Sequence, residues 1–531
     1  MATVQSSKFI TAVEAAAIVP SGATVVLGGM VSMAVPEAVL KALGERFEAE
    51  GGPRDLTMFL PNRQGWTAEP KTGVEHLAHE GMVKRVITAT FSHRDSPRFA
   101  DLVKGGKVQA YSFPMGCLFK ILREQATGSP GFFTEVGINT YADPGAQEAG
   151  CIEVNDATPP TDLVRRMELD GKPYLFYRTF PIHVAIIRGS SSDPAGNISM
   201  EGEPVDVGIK YQAMSARNSG GIVIAVVKYK VLAGAINPRM VAVPGIWVDY
   251  VVVDPDAIQT QLGGHDPTLT GQLRTENPRL EPLPLDVRKI VARRATMELQ
   301  PGDVINLGVG MASGIPAIVQ EAGLEGPFHF STEHGGIGGM PALGSPKKTG
   351  AFGAHFNPDC ILDSMEVFDF YHGGGLDVAA LGFAEIRADG SVNVGDFQGN
   401  LRGPGGFVDI AHRAKKVLFC GELTAGQSDI RIVQEPQVRL EISRDGRHRK
   451  LLSQINQVNF HGPTALRKGQ TVLYITERAV FQLTADGLEL IEIAPGVGVE
   501  AVKSAIGFDI AVSAHLKFMD DRLFRVAPAD T

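Results

Sequence analysis

The chain has 531 residues, too long for one ordinary core, so two or more domains are expected. Its 44% hydrophobic and 21% charged residues are a globular balance that excludes disorder, and a net charge of −9 with no long Lys/Arg run argues against nucleic acid as a partner. No apolar stretch approaches the ~20 residues that span a bilayer, so no membrane role is expected; Met1–Gln5 lacks the basic and apolar parts of a signal peptide, and Cys117, Cys151, Cys360 and Cys420 lie too far apart for a disulfide framework or zinc site, so a reducing, cytoplasmic location is expected.

The first elements recur later in the chain. Ile10, Gly22, Leu27, Gly28, Pro36 and Val39 return as Ile290, Gly302, Leu307, Gly308, Pro316 and Val319, always 280 residues on. A constant, ungapped offset implies two halves built on one plan. Each copy reads as helix, turn, short buried strand, Gly-rich loop and second helix, the start of a βαβ unit. In the second copy Asp286 caps a helix with Val287, Ile290, Val291 and Ala295 on its apolar stripe, Val304–Leu307 is the strand, and Pro316 sits in the first turn of the next helix. A further echo joins His183–Ile186 and Gly196–Ser199 to Asp377–Ala380 and Gly390–Asn393 with an offset of 194, so the halves share a core and differ in insertions. The segment between them, 256–283, holds Gly263-Gly264 and several prolines without periodicity and reads as a linker. The expected architecture is α/β, with two similar domains (1–255 and 284–531), each a mainly parallel open sheet flanked by helices.

Three loops in the second half could carry chemistry. In Phe328–Gly339 an alternating strand runs into Glu333, followed by Gly335, Gly336, Gly338 and Gly339. A carboxylate beyond a strand's carboxyl end stands where open α/β sheets bind ligands, and the glycines admit a bulky partner; an incidental Glu on a turn is the alternative. Phe368–Asp377 contains Gly373-Gly374-Gly375 before a strand, either a ligand-approach loop or a flexible entry. Gly403-Pro404-Gly405-Gly406 precedes a helix over Asp409–Lys415 and a strand over Val417–Cys420, and its N–H groups could hold an anion. Gly308-x-Gly310 with Gly314 has the wrong spacing for a dinucleotide loop, and His329, His334, His355 and His372 lack metal-ligand spacing, so no metal is expected.

Together with Gly28-Gly29, Pro36-Glu37, His79–Gly81, Phe180–His183, Val243–Asp249 and Ile493–Val497, these loops resemble family I CoA-transferases of the single-chain acetate/propionate type over nearly the whole chain. The resemblance implies two fused CoA-transferase domains, Glu333 as covalent nucleophile, acyl-CoA and a small carboxylic acid as substrates, coenzyme A as a substrate with no permanently bound cofactor, and a homo-oligomer, dimer or tetramer. It places Gly405 and Gly406 at the oxyanion, Asn393, Gly373 and Gly374 on CoA, and Met115, Gly29 and Met30 in the substrate pocket. The chemistry suits the residue: a carboxylate of pKa ~4.3 is ionised at neutral pH and needs no base. Its attack on a thioester gives an acyl-glutamyl anhydride, thiolate return gives a glutamyl-CoA thioester, and the acceptor acid reverses both steps. Two departures stand out: Pro114-Met115-Gly116 where related enzymes often have Pro-Gln-Gly, and His334 where Asn often follows the nucleophile. An acyl-CoA hydrolase on the same scaffold and a non-catalytic regulatory protein of similar fold are the rival readings.

Overall fold

The structure is a computed structural model that describes residues 7–276, 278, 280–324, 326, 328–342 and 351–526. In the first half, strands β1 (Thr24–Leu27), β2 (Leu56–Leu60), β3 (Val83–Thr88), β4 (Gln109–Ser112), β5 (Val184–Ser192), β6 (Ile222–Lys230) and β7 (Tyr250–Val253) form a parallel run in the order β4-β3-β2-β1-β5-β6-β7. Helices α1 (Ala12–Ile18), α2 (Glu37–Glu50), α3 (Pro97–Lys104), α4 (Met115–Thr127) and α5 (Ile209–Asn218) flank it. The central strands are nearly continuous Val/Ile/Ala because both faces are covered, as in any parallel sheet between helices.

The second half repeats the core. Strands β8 (Val304–Leu307), β9 (His329–Ser331), β10 (Val378–Gly382), β11 (Lys416–Cys420) and β12 (Thr471–Ile475) run parallel in the order β9-β8-β10-β11-β12, within a ten-stranded sheet that continues through Ala479–Thr484, Gly487–Ile493 and Ala511–Phe518. Its helices are α6 (Val287–Thr296), α7 (Ile315–Glu321), α8 (Ser364–His372) and α9 (Phe407–Ala411). Asp286 caps α6 as expected, accepting from the N–H groups of Arg288 and Lys289, and Ile290, Val291 and Ala295 are fully buried. α9 starts two residues before the expected Asp409, directly on Gly406, and ends at Ala411.

The two sequence offsets are one structural fact. β1 pairs with β5 at Val25↔Val184 and β8 with β10 at Ile305↔Val378, so offsets of 280 and 194 mark the same strand pair in the two halves. The N–H of Gly28 donates to Ile186 O at 2.9 Å and that of Gly308 to Ala380 O at 2.8 Å, closing the same corner beyond the first strand.

Among its described residues, segment 256–283 carries a short 3₁₀ turn, Pro267–Leu269, and no longer element, yet it is no free tether. Leu269, Leu280 and Leu283 are buried, the Gln261 N–H donates to Ser32 Oγ in the first half, and the Leu280 N–H donates to Gln320 Oε1 in the second. The halves also dock directly: α4 lies on α8 and α9, with Phe119 stacked on Phe368 at 5.9 Å and Arg123 paired with Asp369. Among the described residues no helix is long and apolar enough to cross a membrane.

Candidate active site

β9 ends at Ser331, and the chain folds back at once into Gly336–Ile337, with Ser331 opposite Ile337. Glu333 therefore sits in a hairpin turn beyond the carboxyl end of a parallel sheet. The Thr332 N–H donates to Gly336 O at 2.9 Å and the Gly335 N–H to Thr332 O at 3.1 Å. Gly335 has φ 112°, and any side chain on it would strike the Leu362 carbonyl, which explains one of the glycines.

The Glu333 side chain is 8% exposed. Asn306, in the middle of β8, points its Nδ2 at Glu333 Oε2 (3.4 Å), at Tyr371 Oη (3.2 Å) and at Ser331 O (3.4 Å). Tyr371, from the last turn of α8, also meets Ser331 Oγ at 2.9 Å. Burial, and next the nearby Glu333 charge, push the Tyr371 phenol well above its ordinary value, so it keeps its proton. The nucleophile candidate is thus held by neutral donors, with no Lys or Arg ion pair recorded at its carboxylate among the described residues.

His334 follows in the same turn, with Nε2 at 3.6 Å from Glu333 Oε1, too far for a hydrogen bond. Burial holds its imidazole below the usual histidine range against the opposing pull of Glu333. Its carbonyl accepts from the N–H of Asp206, a residue of the first half, and Asp206 O in turn accepts from the N–H and the hydroxyl of Ser364 at the start of α8. The halves therefore meet at the nucleophile turn.

They meet again at the Gly403–Gly406 loop. Met115 N–H donates to Gly405 O at 3.1 Å, and Gly405 N–H donates back to Ala89 O, just past β3, at 3.0 Å. Met115 is buried with its methyl against Gly405. Gly406 lies on the Phe368 ring, which packs edge-on against Tyr371 at 6.2 Å, so the loop connects through two aromatic rings to the Asn306–Glu333 cluster.

The sequence profile described as coenzyme A transferase matches residues 9–254. Acetate CoA-transferase YdiF of Escherichia coli (strain K12) is 39% identical over 97% of this chain and 94% of its own length, and caffeate CoA-transferase of Acetobacterium woodii is 39% identical over 98% and 97%. A crystal structure of the acyl-CoA transferase YdiF from E. coli O157:H7, a thioester complex with CoA, superposes with a TM-score of 0.90 at 36% identity, covering 99% of this chain and 97% of that one. The chain belongs to the coenzyme A transferase family. It is a CoA-transferase with the mixed α/β architecture expected from its sequence.

Within this transferase the remaining sequence-derived site residues fare differently. Gly405 cannot offer its N–H in this conformation, because Ala89 O occupies it; Gly406, at the start of α9, has no recorded hydrogen bond on its N–H among the described residues. Asn393 is an internal brace and not a surface for CoA: its Nδ2 donates to Glu385 Oε2 and Asp396 O, and its Oδ1 accepts from the N–H groups of Gly395 and Asp396. Gly373 and Gly374 close α8, with N–H groups on Asp369 O and Tyr371 O, and the chain then enters β10 at the amino-terminal end of the parallel strands, the end opposite Glu333. They terminate a helix, as glycines often do, and do not form a ligand loop beside Glu333. Gly29, with φ 104°, could carry no side chain without striking Ala34 O and Val35, and Met30 is buried and pairs with Met33; both contacts stay inside the first half.

Of the histidines, His355 is buried under Gly336 with Nδ1 on Gly338 O and its pKa pushed down to about 4 by burial, and His372 pairs with Asp409 at 2.9 Å. Asn306, Tyr371 and Asp206 escape sequence reasoning. One signal existed for the first: the repeat puts Val26 opposite Asn306, so an apolar strand position becomes an amide only in the copy that carries the carboxylate.

Proposed function

We propose that this transferase moves coenzyme A from an acyl-CoA to a free carboxylic acid through two covalent states of Glu333. The observation that carries the reading is a buried carboxylate beyond the carboxyl ends of parallel strands, oriented by Asn306 and faced, among the described residues, by an imidazole and a phenol that are uncharged at neutral pH. Such a carboxylate is a ready nucleophile toward a thioester. CoA thiolate leaves, since a thiol of pKa ~8.5 is a tolerable leaving group. Thiolate then attacks the glutamyl carbonyl of the anhydride, the first acid departs, and the glutamyl-CoA thioester awaits the second acid. Thioester energy is conserved throughout, so no nucleotide is consumed. Each attack creates a tetrahedral oxyanion, for which the Gly406 N–H is the available donor. The thioester complex with CoA described for the E. coli relative supports the second covalent state. In this reading residues 1–255 and 284–531 are the two transferase domains, and the enzyme works as a homo-oligomer.

Because the first acid must leave before the second binds, double-reciprocal plots at several acceptor concentrations are expected to be parallel. Intersecting lines would instead require a ternary complex. Thiol release from acyl-CoA with no acceptor present, at a rate matching kcat, would mark a hydrolase.

The substrate class follows from Met115, which we assign to the acyl pocket beside Gly405. A thioether is apolar, flexible and only a weak acceptor, so the pocket offers apolar contact where a glutamine would offer a hydrogen bond. Each added methylene of the acid then gains up to ~0.8 kcal/mol on burial. The relatives named for acetate and for caffeate bracket the sizes of acid that the scaffold accommodates. Met115→Gln is expected to shift the ratio of kcat/KM for a longer acid over acetate toward acetate by about fourfold per methylene lost from the preference. An unchanged ratio in a folded variant would remove Met115 from the pocket.

A further inference from the structure

The imidazole of His334 occupies a slot made for it. A side chain on Gly353 would lie 2.7 Å from its Cδ2, so only glycine leaves room. Phe352 meets the ring edge-on at 5.9 Å, and the Thr332 hydroxyl, donating to Gly353 O at 2.8 Å, fixes the slot wall to the residue preceding Glu333. The His334 carbonyl is tied to Asp206 of the other half. The ring therefore cannot swing away, and its Nε2 edge is fixed toward Glu333 Oε1. The opposite nitrogen, Nδ1, is buried and has no hydrogen-bond partner among the described residues. A buried structural histidine is ordinarily anchored by hydrogen bonds at one or both nitrogens; among the described residues this ring is anchored by shape.

We propose that His334 is a positioning residue that keeps the nucleophile free of a cationic neighbour: an uncharged imidazole, locked against Glu333 by Gly353 and Phe352, walls off the carboxylate without neutralising it. This rests on Glu333 being the nucleophile. As Glu333 attacks the thioester, negative charge leaves its carboxylate for the thioester oxygen. A cation fixed beside the carboxylate would hold that charge in place and oppose the attack; a neutral ring does not. Shape-only anchoring suits the task, because a carboxylate or carbonyl on Nδ1 would raise the basicity of the ring. Among the described residues, the charged and titratable groups around the turn are the following. Glu333 is the immediate neighbour. Tyr371, from α8, remains protonated. His355, behind Gly336, is neutral at ordinary pH. Asp206 and Asp363 lie at the Asp206–Ser364 contact, both raised by burial, with Lys210 and Glu366 beyond them.

The sign of the pH effect follows. Burial lowers the imidazole's pKa, so at neutral pH the ring is uncharged and the enzyme active; as pH falls through that lowered value the ring gains a proton, pairs with Glu333, and acylation slows. The experiment follows the release of acetate, with CoA retained on the enzyme as the thioester, in single turnovers of acetyl-CoA between pH 4 and 8, in wild type and His334→Asn. Wild type is expected to lose rate by about tenfold per unit as pH falls below the lowered value of the imidazole, and His334→Asn is expected to lack that loss. The Cε1 resonance of His334, assigned by its loss in the variant, should titrate below the ordinary histidine range and move lower still in Glu333→Gln. Superimposed pH profiles, or an imidazole charged at pH 7, would overturn the proposal. A Glu333→Gln protein that still forms the CoA thioester would instead overturn the nucleophile assignment, whatever His334 does, so the two failures are distinct. A thermal denaturation midpoint close to that of wild type serves as the check that His334→Asn is folded.

Discussion

Glu333→Gln is expected to lose about 10⁴–10⁶-fold in kcat, the range seen when a covalent nucleophile is removed. The substitution keeps the volume and the contact to Asn306 Nδ2 through the remaining oxygen, so the hairpin turn and its link to the Leu362 backbone should persist. What disappears is the ionised oxygen pair, since an amide does not attack a thioester. Glu333→Asp is the sharper comparison. It retains the charge and withdraws it by roughly one bond, and a misplacement of about 1 Å costs on the order of 10²-fold. Incubation with acyl-CoA alone, followed by borohydride reduction and peptide mapping, should mark Glu333 in the wild type, weakly in Glu333→Asp and not at all in Glu333→Gln. A mark on another residue would refute the assignment, as would full turnover by the Gln variant.

The second large effect is expected at Gly116, far from Glu333 in sequence and belonging to the other half of the chain. Gly116 lies in the first turn of α4, where alanine would ordinarily favour the helix by roughly 1 kcal/mol. Here an added Cβ would stand 2.6 Å from Asp409 Oδ1 and 2.7 Å from the Phe368 ring. Neither neighbour can yield: Asp409 is fully buried and held by His372 at 2.9 Å, and Phe368 is wedged between Phe119 and Tyr371. Overpacking of this kind costs about 1–3 kcal/mol, more than helix propensity returns. Gly116→Ala should therefore lower the denaturation midpoint. It should also depress kcat, because the strain falls on α9 and so on Gly405 and Gly406. A midpoint equal to or above that of wild type would mean that α4 and α9 can slide apart freely.

Much of this was legible in the sequence because strand register is rigid. Two strands that pair in both halves must keep their offsets, and the 280- and 194-residue echoes are that constraint written along the chain. The Glu333 turn drew notice for a local reason, a carboxylate before bare backbone, a pattern an incidental turn shares; its assignment as nucleophile came from the family resemblance. The rest depends on who arrives from elsewhere. Nothing near Gly405 announces that Ala89 will take its N–H. Asn393 looks like a free amide until Glu385 and the 395–396 backbone close around it. Gly373 and Gly374 carry the composition of a binding loop and the geometry of a helix end, which sequence alone does not separate. Asp206 reaches the nucleophile turn only because an entire half folds over it. Segment 256–283 was read as a linker from its lack of periodicity, but burial of Leu269, Leu280 and Leu283 makes it a strap.

The glycine at position 116 also bears on how the protein is made. Its partner Asp409 leaves the ribosome roughly 290 residues later, which at bacterial-type rates of about 5–20 residues per second is an interval of about 15–60 s. For that time the first half can complete its own sheet, since β7 ends at Val253, yet the face of Phe119 that stacks on Phe368 stays open to water. The nascent chain thus passes through a folded half-molecule with an open apolar helix face, an obvious substrate for chaperones and an obvious place for two such halves to meet by mistake.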